Sequence, residues 1–332
     1  MLAWRRLRAD RVGLGALGVV AGYLLLSLLA ALGWVAPHWE AEVGSHYAPP
    51  SWLGAAPSEA PWDPAPQSHW PGSVPLYGLQ DPLAPLLATL GPPPGGVLAP
   101  VEAPRRSTLP LGADKWGHDV LAKVIQGGAT SLQVGLFSAV LATFLGTLMG
   151  ALAGYFGGRV DDAFNWLYGV LTAVPYLLLV FAIAAVLHQK GTGTLILILG
   201  LTGWTGVFRL MRAEYLKHRL REYVLAAGAL GAGHWRRMFV HILPNTSHVI
   251  LVQLSQNAVG FIKSEVILSF LGFGVPVDVV SWGSMLNEAQ NELILGKWWQ
   301  LAAAGCAMAL LVTAFSLLTD ALRDALDPRL KS

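Results

Sequence analysis

The chain has 332 residues, of which 54% are hydrophobic and only 13% are charged, and its mean hydropathy is +0.51. Soluble globular proteins carry about 25% charged residues, so this composition excludes an ordinary soluble domain and predicts an integral membrane protein. The net charge of +2 does not indicate a nucleic-acid partner. The single cysteine, Cys306, excludes an intrachain disulfide framework and a cysteine-based metal site.

The first predicted element is a membrane span. Residues 12–35 carry no charge and follow an N-terminus with four arginines. A helix needs about 20 apolar residues to cross a bilayer core. The alternative is a cleaved signal peptide, whose apolar region has about 7–15 residues. The longer run favours an uncleaved span.

The next segment, residues 37–111, differs in kind from the rest of the chain. It is rich in proline, glycine, serine and tryptophan and shows no long helical period. We expect a non-cytoplasmic insert that is partly irregular; the alternative is a flexible linker. Its tryptophans favour packing or interfacial contact: Trp39, Trp52, Trp62 and Trp70.

Two acidic residues mark the end of this insert, where residues 111–121 read LGADKWGHDVL. Asp119 precedes an apolar run, so its side chain can cap the helix that begins at Val120. The alternative is direct contact with a ligand. Asp114 and Asp119 are therefore candidate pathway or gate residues.

Five further spans are predicted, at residues 124–158, 163–187, 192–208, 246–272 and 298–319. In the second span of the chain, Gly146, Gly150 and Gly154 recur every fourth residue. This spacing places three small residues on one helix face and permits close approach of another helix. Pro175 is expected to kink the third span.

Residues 221–245, REYVLAAGALGAGHWRRMFVHILPN, form a polar stretch between two apolar spans. Apolar residues recur at helical spacing in two short patterns: Tyr223, Ala226, Ala227 and Leu230, then Trp235, Met238, Phe239 and Ile242. Glycines at 231 and 233 predict a tight turn between the two helices. Pro244 is expected to end the second pattern. Without further information, an amphipathic connector between two spans explains the stretch equally well.

Two charged residues, Lys263 and Glu265, lie inside the predicted fifth span. Charges in membrane helices are costly and usually face the bundle interior, which makes both candidates for a polar pathway lining. The alternative places them near the outer end of the span, where Lys263 snorkels to the interface and Glu265 makes a structural hydrogen bond.

Four motifs together resemble the permeases of ATP-binding cassette (ABC) importers, in the dipeptide, oligopeptide and nickel branch. Residues 221–245 resemble the cytoplasmic EAA loop of that family, although the Ile242–Leu243–Pro244 run lacks one intervening residue. Residues 111–121 resemble LGTDxxGRDVL, with Ala113 and His118 in place of the usual Thr and Arg. EVILSFLGFGVP with SWGSML (residues 265–286) and DALRDALDPR (residues 320–329) resemble the remaining two motifs.

The resemblance implies an all-α polytopic membrane protein with six transmembrane helices, a cytoplasmic coupling-helix loop and a large extracytoplasmic insert. We expect residues 1–36 to form the N-terminus and first span, 37–111 the insert, and 112–332 the permease core, with the coupling loop at 211–245. The resemblance also implies a set of residues that couple to an ATPase: Glu222, Tyr223, Ala226, Ala227, Gly231, His241, Leu243 and Pro244.

The implied function is that of the second, C-type permease subunit of a peptide importer; nickel chelates and peptide antibiotics are branch variants. The implied partners are a homologous permease, two ATPase subunits, an extracytoplasmic substrate-binding protein and the lipid bilayer, with no nucleic acid. The sequence lacks the G-x-x-x-x-G-K-[ST] phosphate loop, so the chain is predicted not to be an enzyme. ATP and Mg²⁺ are expected on the partner subunits, with no metal or cofactor in this chain.

An N-terminus inside the cell places 15 of the 22 lysines and arginines in cytoplasmic segments, which agrees with the positive-inside rule. We therefore expect a multi-pass protein of the bacterial inner membrane with both termini cytoplasmic. A different class, an ATP-independent secondary transporter, needs ionisable residues deep in several spans, and only Lys263 and Glu265 qualify. A structural membrane scaffold is the third class.

Overall fold

The computed structural model describes residues 10–54, 105–187 and 191–326. The chain forms two compact units, one containing Met1–Glu40 and Val120–Ser332 and the other Ala41–Asp119. The second unit includes residues 111–119, which the sequence assigned to the boundary of the permease core. The described part of the first unit is entirely helical outside its turns and loops, as expected for an all-α polytopic membrane protein.

Four helical stretches are long and apolar enough to cross a membrane. They are α1 (Arg11–Ala31), α2 (Val120–Phe156), the pair α5 (Thr192–Thr202) and α6 (Thr205–His218) taken together, and α11 (Trp299–Leu326). The predicted first, second, fourth and sixth spans overlap these stretches, although the first helix ends at Ala31 and not at residue 35. Helix α2 has 37 residues, about 55 Å at 1.5 Å per residue, so it extends beyond a hydrocarbon core of about 30 Å.

The predicted third span is a pair of helices rather than one. Helices α3 (Gly158–Thr172) and α4 (Tyr176–Leu187) meet at an angle of 83°. Pro175 lies in the break, where its ring disfavours helical geometry at the residue before it. A kink at Pro175 is therefore confirmed, but the bend is much sharper than the prediction of one continuous span implied. Counting the bent pair as one span gives up to five.

The predicted fifth span corresponds to α9 (Leu243–Phe270), which is followed by the shorter α10 (Trp282–Ile294). Helix α9 is long enough to cross a membrane, but it is not among the stretches that are apolar enough. Polar residues along its length lower its hydropathy, among them Gln253, Asn257, Lys263 and Glu265. The expected count of six spans is thus not reached on length and composition alone.

The predicted glycine stripe of α2 contacts α6. A Cβ atom added at Gly150 would lie 2.8 Å from both the Phe208 carbonyl oxygen and the Met211 Cβ. Gly154 would meet the Arg212 carbonyl oxygen at 2.5 Å. No side chain fits these gaps, because such distances are shorter than van der Waals contact. The stripe therefore permits the close approach of α2 and α6 that the spacing predicted.

The described parts of the second unit form no strand, but isolated β-bridges join residues 42–50 to residues 106–119. Ala48, Leu109 and Ala113 are buried together. Gly117 adopts a positive φ of 88° and donates its backbone N–H to the Asp114 carbonyl. These contacts argue against a flexible linker at both ends of the predicted insert. Trp62 and Trp70 lie outside the described residues.

Candidate functional site: the coupling loop and buried polar groups

The predicted coupling loop begins with a short helix, α7 (Glu222–Ala229), whose N-cap is Arg221 in extended conformation. Glu222 lies in the first turn, where the helix dipole favours a carboxylate. Gly231, two residues after the last residue of α7, has a φ of 86°. The N–H groups of Gly231 and Ala232 donate to the carbonyls of Gly228 and Ala227, at 3.0 and 2.9 Å. This hydrogen-bond pattern is a Schellman motif, and it confirms the predicted turn.

The apolar face predicted for α7 points outward. Tyr223 and Leu230 are 39% and 90% exposed, and Ala226 is exposed as well. Leu225 adds further exposed apolar surface on the same helix. The Tyr223 hydroxyl is hydrogen-bonded to His218 Nδ1 at 2.8 Å, and partial burial raises the pKa of this phenol. Contiguous exposed apolar surface is characteristic of an interaction site.

The residue that attaches α7 to the rest of the unit is Val224, which the sequence patterns did not single out. Its side chain is 1% exposed and belongs to a buried cluster drawn from α2, α6 and the segment before α9. The cluster consists of Ala151, Val207, Met211, Tyr215, Val224, Met238 and Ile242. Val224 therefore packs α7 against residues of both α2 and α6.

The second half of the loop joins the following helix without a break. The prediction that Pro244 ends the second helical pattern is therefore wrong. Helix α8 (His234–Arg236) runs into a π-helical segment, Arg237–Ile242, which continues directly into α9. Pro244 cannot donate a backbone hydrogen bond to the preceding turn. The wider π-helical turn accommodates this loss immediately upstream of the proline.

The predicted coupling residues of this half lie along that continuous helix. His241 and Leu243 are partly buried and Pro244 is exposed. The carbonyl of His241 accepts a hydrogen bond from Asn245 Nδ2 at 2.7 Å. The hydroxyl of Tyr215 donates to the Met238 carbonyl at 3.1 Å, which joins α6 to the π-helical segment.

Lys263 and Glu265 have opposite environments, as expected for residues two apart on a helix. Lys263 is exposed, whereas Glu265 is completely buried. Glu265 Oε1 accepts a hydrogen bond from the Ser269 hydroxyl at 2.6 Å. The Ser269 hydroxyl also accepts from the Val275 N–H at 3.3 Å, so the pair holds the chain that follows α9. This geometry favours a structural hydrogen bond for Glu265.

Trp282 links the membrane helices to the start of α10, and the sequence patterns did not reveal this role. Its indole Nε1 donates to the Val124 carbonyl at 3.0 Å, and its backbone N–H donates to the Ser131 hydroxyl at 3.3 Å. Tyr23 of α1 packs edge-on against the indole ring. A buried indole requires such a partner for its N–H. The motif SWGSML gave a signal for this region but not for its contacts.

A second polar contact missed at the sequence level links α2, α10 and α11. Lys123 Nζ lies 2.7 Å from Glu288 Oε2, and the lysine side chain is 3% exposed. Gln300 Nε2 donates to the same carboxylate oxygen at 3.2 Å. A nearly buried lysine is stabilised only when it is paired in this way.

In the second unit, Asp114 organises a turn. Its carboxylate is fully buried and accepts hydrogen bonds from the backbone N–H groups of Trp116 and His118, at 2.8 and 2.9 Å. His118 Nδ1 lies 2.9 Å from Asp114 Oδ2. The histidine that replaces the usual arginine of the motif thus contacts this carboxylate. Asp119 is the last residue before α2 and forms an isolated bridge with Ala113.

The predicted sites therefore separate into three groups. The eight coupling candidates lie together in the loop formed by α7, α8 and the start of α9. Lys263 and Glu265 lie near the other end of α9, and Asp114 and Asp119 belong to the second unit. Among the described residues, no group of three His, Cys, Asp or Glu side chains is placed to hold a metal ion.

Comparison with known proteins identifies relatives over most of the chain. The dipeptide transport system permease protein DppC of Bacillus subtilis is 37% identical over 256 residues, covering 74% of this chain and 78% of the relative. The di/tripeptide transport system permease protein DppC of Pseudomonas aeruginosa is 38% identical and covers 67% of this chain and 73% of its own length. The glutathione transport system permease protein GsiD of Pectobacterium atrosepticum is 35% identical, covering 67% and 72%.

A family model, described as binding-protein-dependent transport system inner membrane component, matches residues 146–332. The match includes the glycine stripe of α2, the coupling loop and α9 to α11. Its extent and the identity to the permeases agree with the motifs at residues 221–245 and 265–286. The chain belongs to the binding-protein-dependent transport system inner membrane component family.

Proposed function

We propose that this chain is one of two permease subunits of an ABC importer for peptides, and that it couples to a separate ATPase through residues 221–245. The observation that carries the proposal is the two-sided character of α7. Its outer side exposes Tyr223, Ala226 and Leu230, whereas Val224 on the inner side packs among residues of α2 and α6. A partner that binds the outer side can thus move the ends of membrane helices.

The proposed topology has six spans, comprising the four long apolar stretches, the bent α3–α4 pair and α9. Both termini and the coupling loop are then cytoplasmic, and residues 37–111 form an extracytoplasmic insert. The lysine and arginine distribution supports this orientation. Helix α9 is accepted as a span because its polar residues can face a second permease subunit or an aqueous pathway.

The proposed coupling step is a rigid-body displacement of α7. ATP and Mg²⁺ bind to two partner ATPases, whose closure moves the docked helix. Val224 contacts residues of α2 and α6, so these helices move with α7. The Tyr215–Met238 hydrogen bond joins α6 to the π-helical segment that continues into α9, so α9 moves as well. Asp161 of α3 is held by a bidentate contact with Arg212 of α6, at 2.5 and 2.6 Å, so α3 follows α6. The motion alternates access to a central pathway.

Peptides are the proposed substrate class because relatives that cover two thirds or more of the chain are named for dipeptides, oligopeptides, di/tripeptides and glutathione. An extracytoplasmic binding protein is proposed to deliver them. Lys263, Glu265, Asp114 and Asp119 are retained as candidate pathway or gate residues, although the buried contacts of Glu265 and Asp114 favour structural roles.

The test is co-purification of the chain with its ATPase subunits, followed by ATP hydrolysis with and without peptide and binding protein. Peptide-stimulated hydrolysis in the unsubstituted complex is the expected result. Glu222→Lys should abolish coupling because it reverses the charge at the exposed start of α7. Asp162→Lys, the same reversal on an exposed residue of α3, is the matched control and should retain it. Peptide-stimulated ATP hydrolysis and peptide uptake at the unsubstituted rates in Glu222→Lys would contradict the coupling role.

A further inference from the structure

A cavity of about 250 Å³ lies behind the coupling helix. It is lined by the last turn of α2, the connection between α6 and α7, Val224, and two residues of the following helical run. The lining residues are Tyr155, Phe156, Arg219, Leu220, Val224, His234 and Arg237. Two of them are arginines and none is acidic. The cavity is smaller than the roughly 300–1,000 Å³ of pockets that take drug-sized molecules.

The two arginines are held in place by a backbone carbonyl, an imidazole and an aromatic ring. Arg219 Nη1 donates to the Tyr155 carbonyl at 3.4 Å. Arg237 Nη2 lies 3.1 Å from His234 Nδ1, and its guanidinium lies over the Tyr155 ring. The Tyr155 hydroxyl also lies 3.1 Å from His234 Nδ1, so Tyr155, His234 and Arg237 form one contact group at the cavity wall.

Among the described residues, no carboxylate lies within ion-pair distance of either cavity arginine. In the described part of the chain, neither Arg219 nor Arg237 forms an ion pair, and the buried Nε of Arg237 has no hydrogen-bond partner. Asp161, whose carboxylate interacts with Arg219 only at longer range, already accepts hydrogen bonds from Nε and Nη2 of Arg212. The cavity thus combines two guanidinium groups with space for an anion.

The cavity lies at the level where the membrane helices become charged. Residues 134–156 of α2 carry no charge, and they are long enough to span a bilayer core of about 20 residues. Gly154 packs against Arg212 and Tyr215 of α6, and Arg209, one turn earlier in α6, is exposed. Under the proposed function and its topology, Tyr155 and Phe156 therefore lie at the cytoplasmic headgroup layer.

The rim of the cavity is apolar at the last turn of α2 and at the connection between α6 and α7. Phe156 is 44% exposed and Leu220 is 71% exposed. We propose that the cavity binds the phosphodiester headgroup of an anionic phospholipid, with the two arginines on the phosphate and the lipid chains along Phe156 and Leu220. Basic pockets between membrane helices on the cytoplasmic side bind such headgroups, and the planar guanidinium fork matches the phosphate oxygens. The bound lipid would stabilise the contact between α2 and the coupling loop.

The test is native mass spectrometry of the intact complex, titrated with phosphatidylglycerol or phosphatidylcholine. Each arginine near an anionic lipid contributes roughly a fivefold preference. The double substitution Arg219→Gln and Arg237→Gln should therefore weaken the tightest phosphatidylglycerol site about 25-fold. The matched control, Arg209→Gln with Arg236→Gln, removes the same charge from exposed residues outside the cavity and should leave that site unchanged. Phosphatidylcholine should not occupy it.

A second pair of variants separates binding from misfolding. Arg219→Lys with Arg237→Lys keeps both charges, and phosphatidylglycerol should bind it more tightly than it binds the glutamine pair. Equal affinity of the glutamine pair and its control would overturn the proposal. Displacement of phosphatidylglycerol by inorganic phosphate at equal concentration would also overturn the proposal, because it would identify the cavity as a site for free phosphate.

The proposal would also be overturned if the glutamine pair kept its lipid affinity but no longer bound the ATPase subunits. That result would indicate that the cavity binds an acidic side chain of the ATPase. The proposed transport function is tested independently by peptide-stimulated hydrolysis in the unsubstituted complex. Its failure would leave the lipid affinities intact, so the two results are distinguishable.

Discussion

The contact between α2 and α6 makes a quantitative prediction at Gly150. An added methyl group would lie 2.8 Å from the Phe208 carbonyl oxygen, 2.8 Å from the Met211 Cβ and 2.9 Å from the Arg212 nitrogen. Two of these three atoms belong to the α6 backbone, so no side-chain rotation relieves the clash. Ordinary contacts of this kind begin near roughly 3.5 Å, and α2 and α6 must therefore separate by more than half an ångström.

The expected magnitude follows from two opposing effects. Overpacking a close-packed interior costs about 1–3 kcal/mol. Replacing glycine by alanine inside a helix recovers about 0.5–1 kcal/mol. Taking the middle of each range, we expect Gly150→Ala to lower the free energy of unfolding by about 1 kcal/mol. Loss of the Met211 contact should also loosen the cluster that holds Val224.

The measurement is reversible unfolding of the purified chain in mixed micelles, followed by circular dichroism. Gly206→Ala is the matched control, because Gly206 belongs to α6 and a Cβ atom added there would meet nothing within 4 Å. The control should be neutral or slightly stabilising. Equal stability of the two variants would refute the close contact of α2 and α6, and with it the route from Val224 to the membrane helices.

Three further predictions concern single contacts. Gly231→Ala forces a side chain into a φ of 86° and should lower the free energy of unfolding by about 1–2 kcal/mol. It should also reduce peptide-stimulated ATP hydrolysis. Gly233→Ala, at a φ of −65°, should change neither quantity. Glu265→Gln keeps the acceptor for Ser269 and should fold normally. Glu265→Ala should lower the free energy of unfolding by about 2–4 kcal/mol in the same assay. An equal decrease in both variants would show that the carboxylate itself is required. Tyr215→Phe removes the hydroxyl that donates to Met238 and should cost about 1 kcal/mol, measured by thermal unfolding; no loss of stability would indicate that this hydrogen bond does not join α6 to the π-helical segment.

Local patterns were sufficient to predict the features that depend on neighbouring residues. Apolar runs predicted the long membrane helices because the bilayer requires them to be uncharged over about 20 residues. The glycine at 231 predicted a turn because only a residue without Cβ adopts a positive φ at low cost. The four-residue spacing of Gly146, Gly150 and Gly154 predicted a close helix contact for the same geometric reason. Residues 221–245 and 265–286 also carried enough pattern to indicate the family.

The tertiary structure decided which surfaces meet, and here local patterns failed. The sequence could not identify α6 as the partner of the glycine stripe, the 83° bend at Pro175, or the continuous helix through Pro244. Nor could it place Glu265 in the interior and Lys263 on the surface. The partners and the burial of these residues depend on contacts between residues far apart in the chain, whereas periodicity and hydropathy report only the residues of one helix. Apolar runs and glycine positions were therefore enough to predict the helices and a turn, but the contacts and buried polar pairs result from close packing of side chains from different helices.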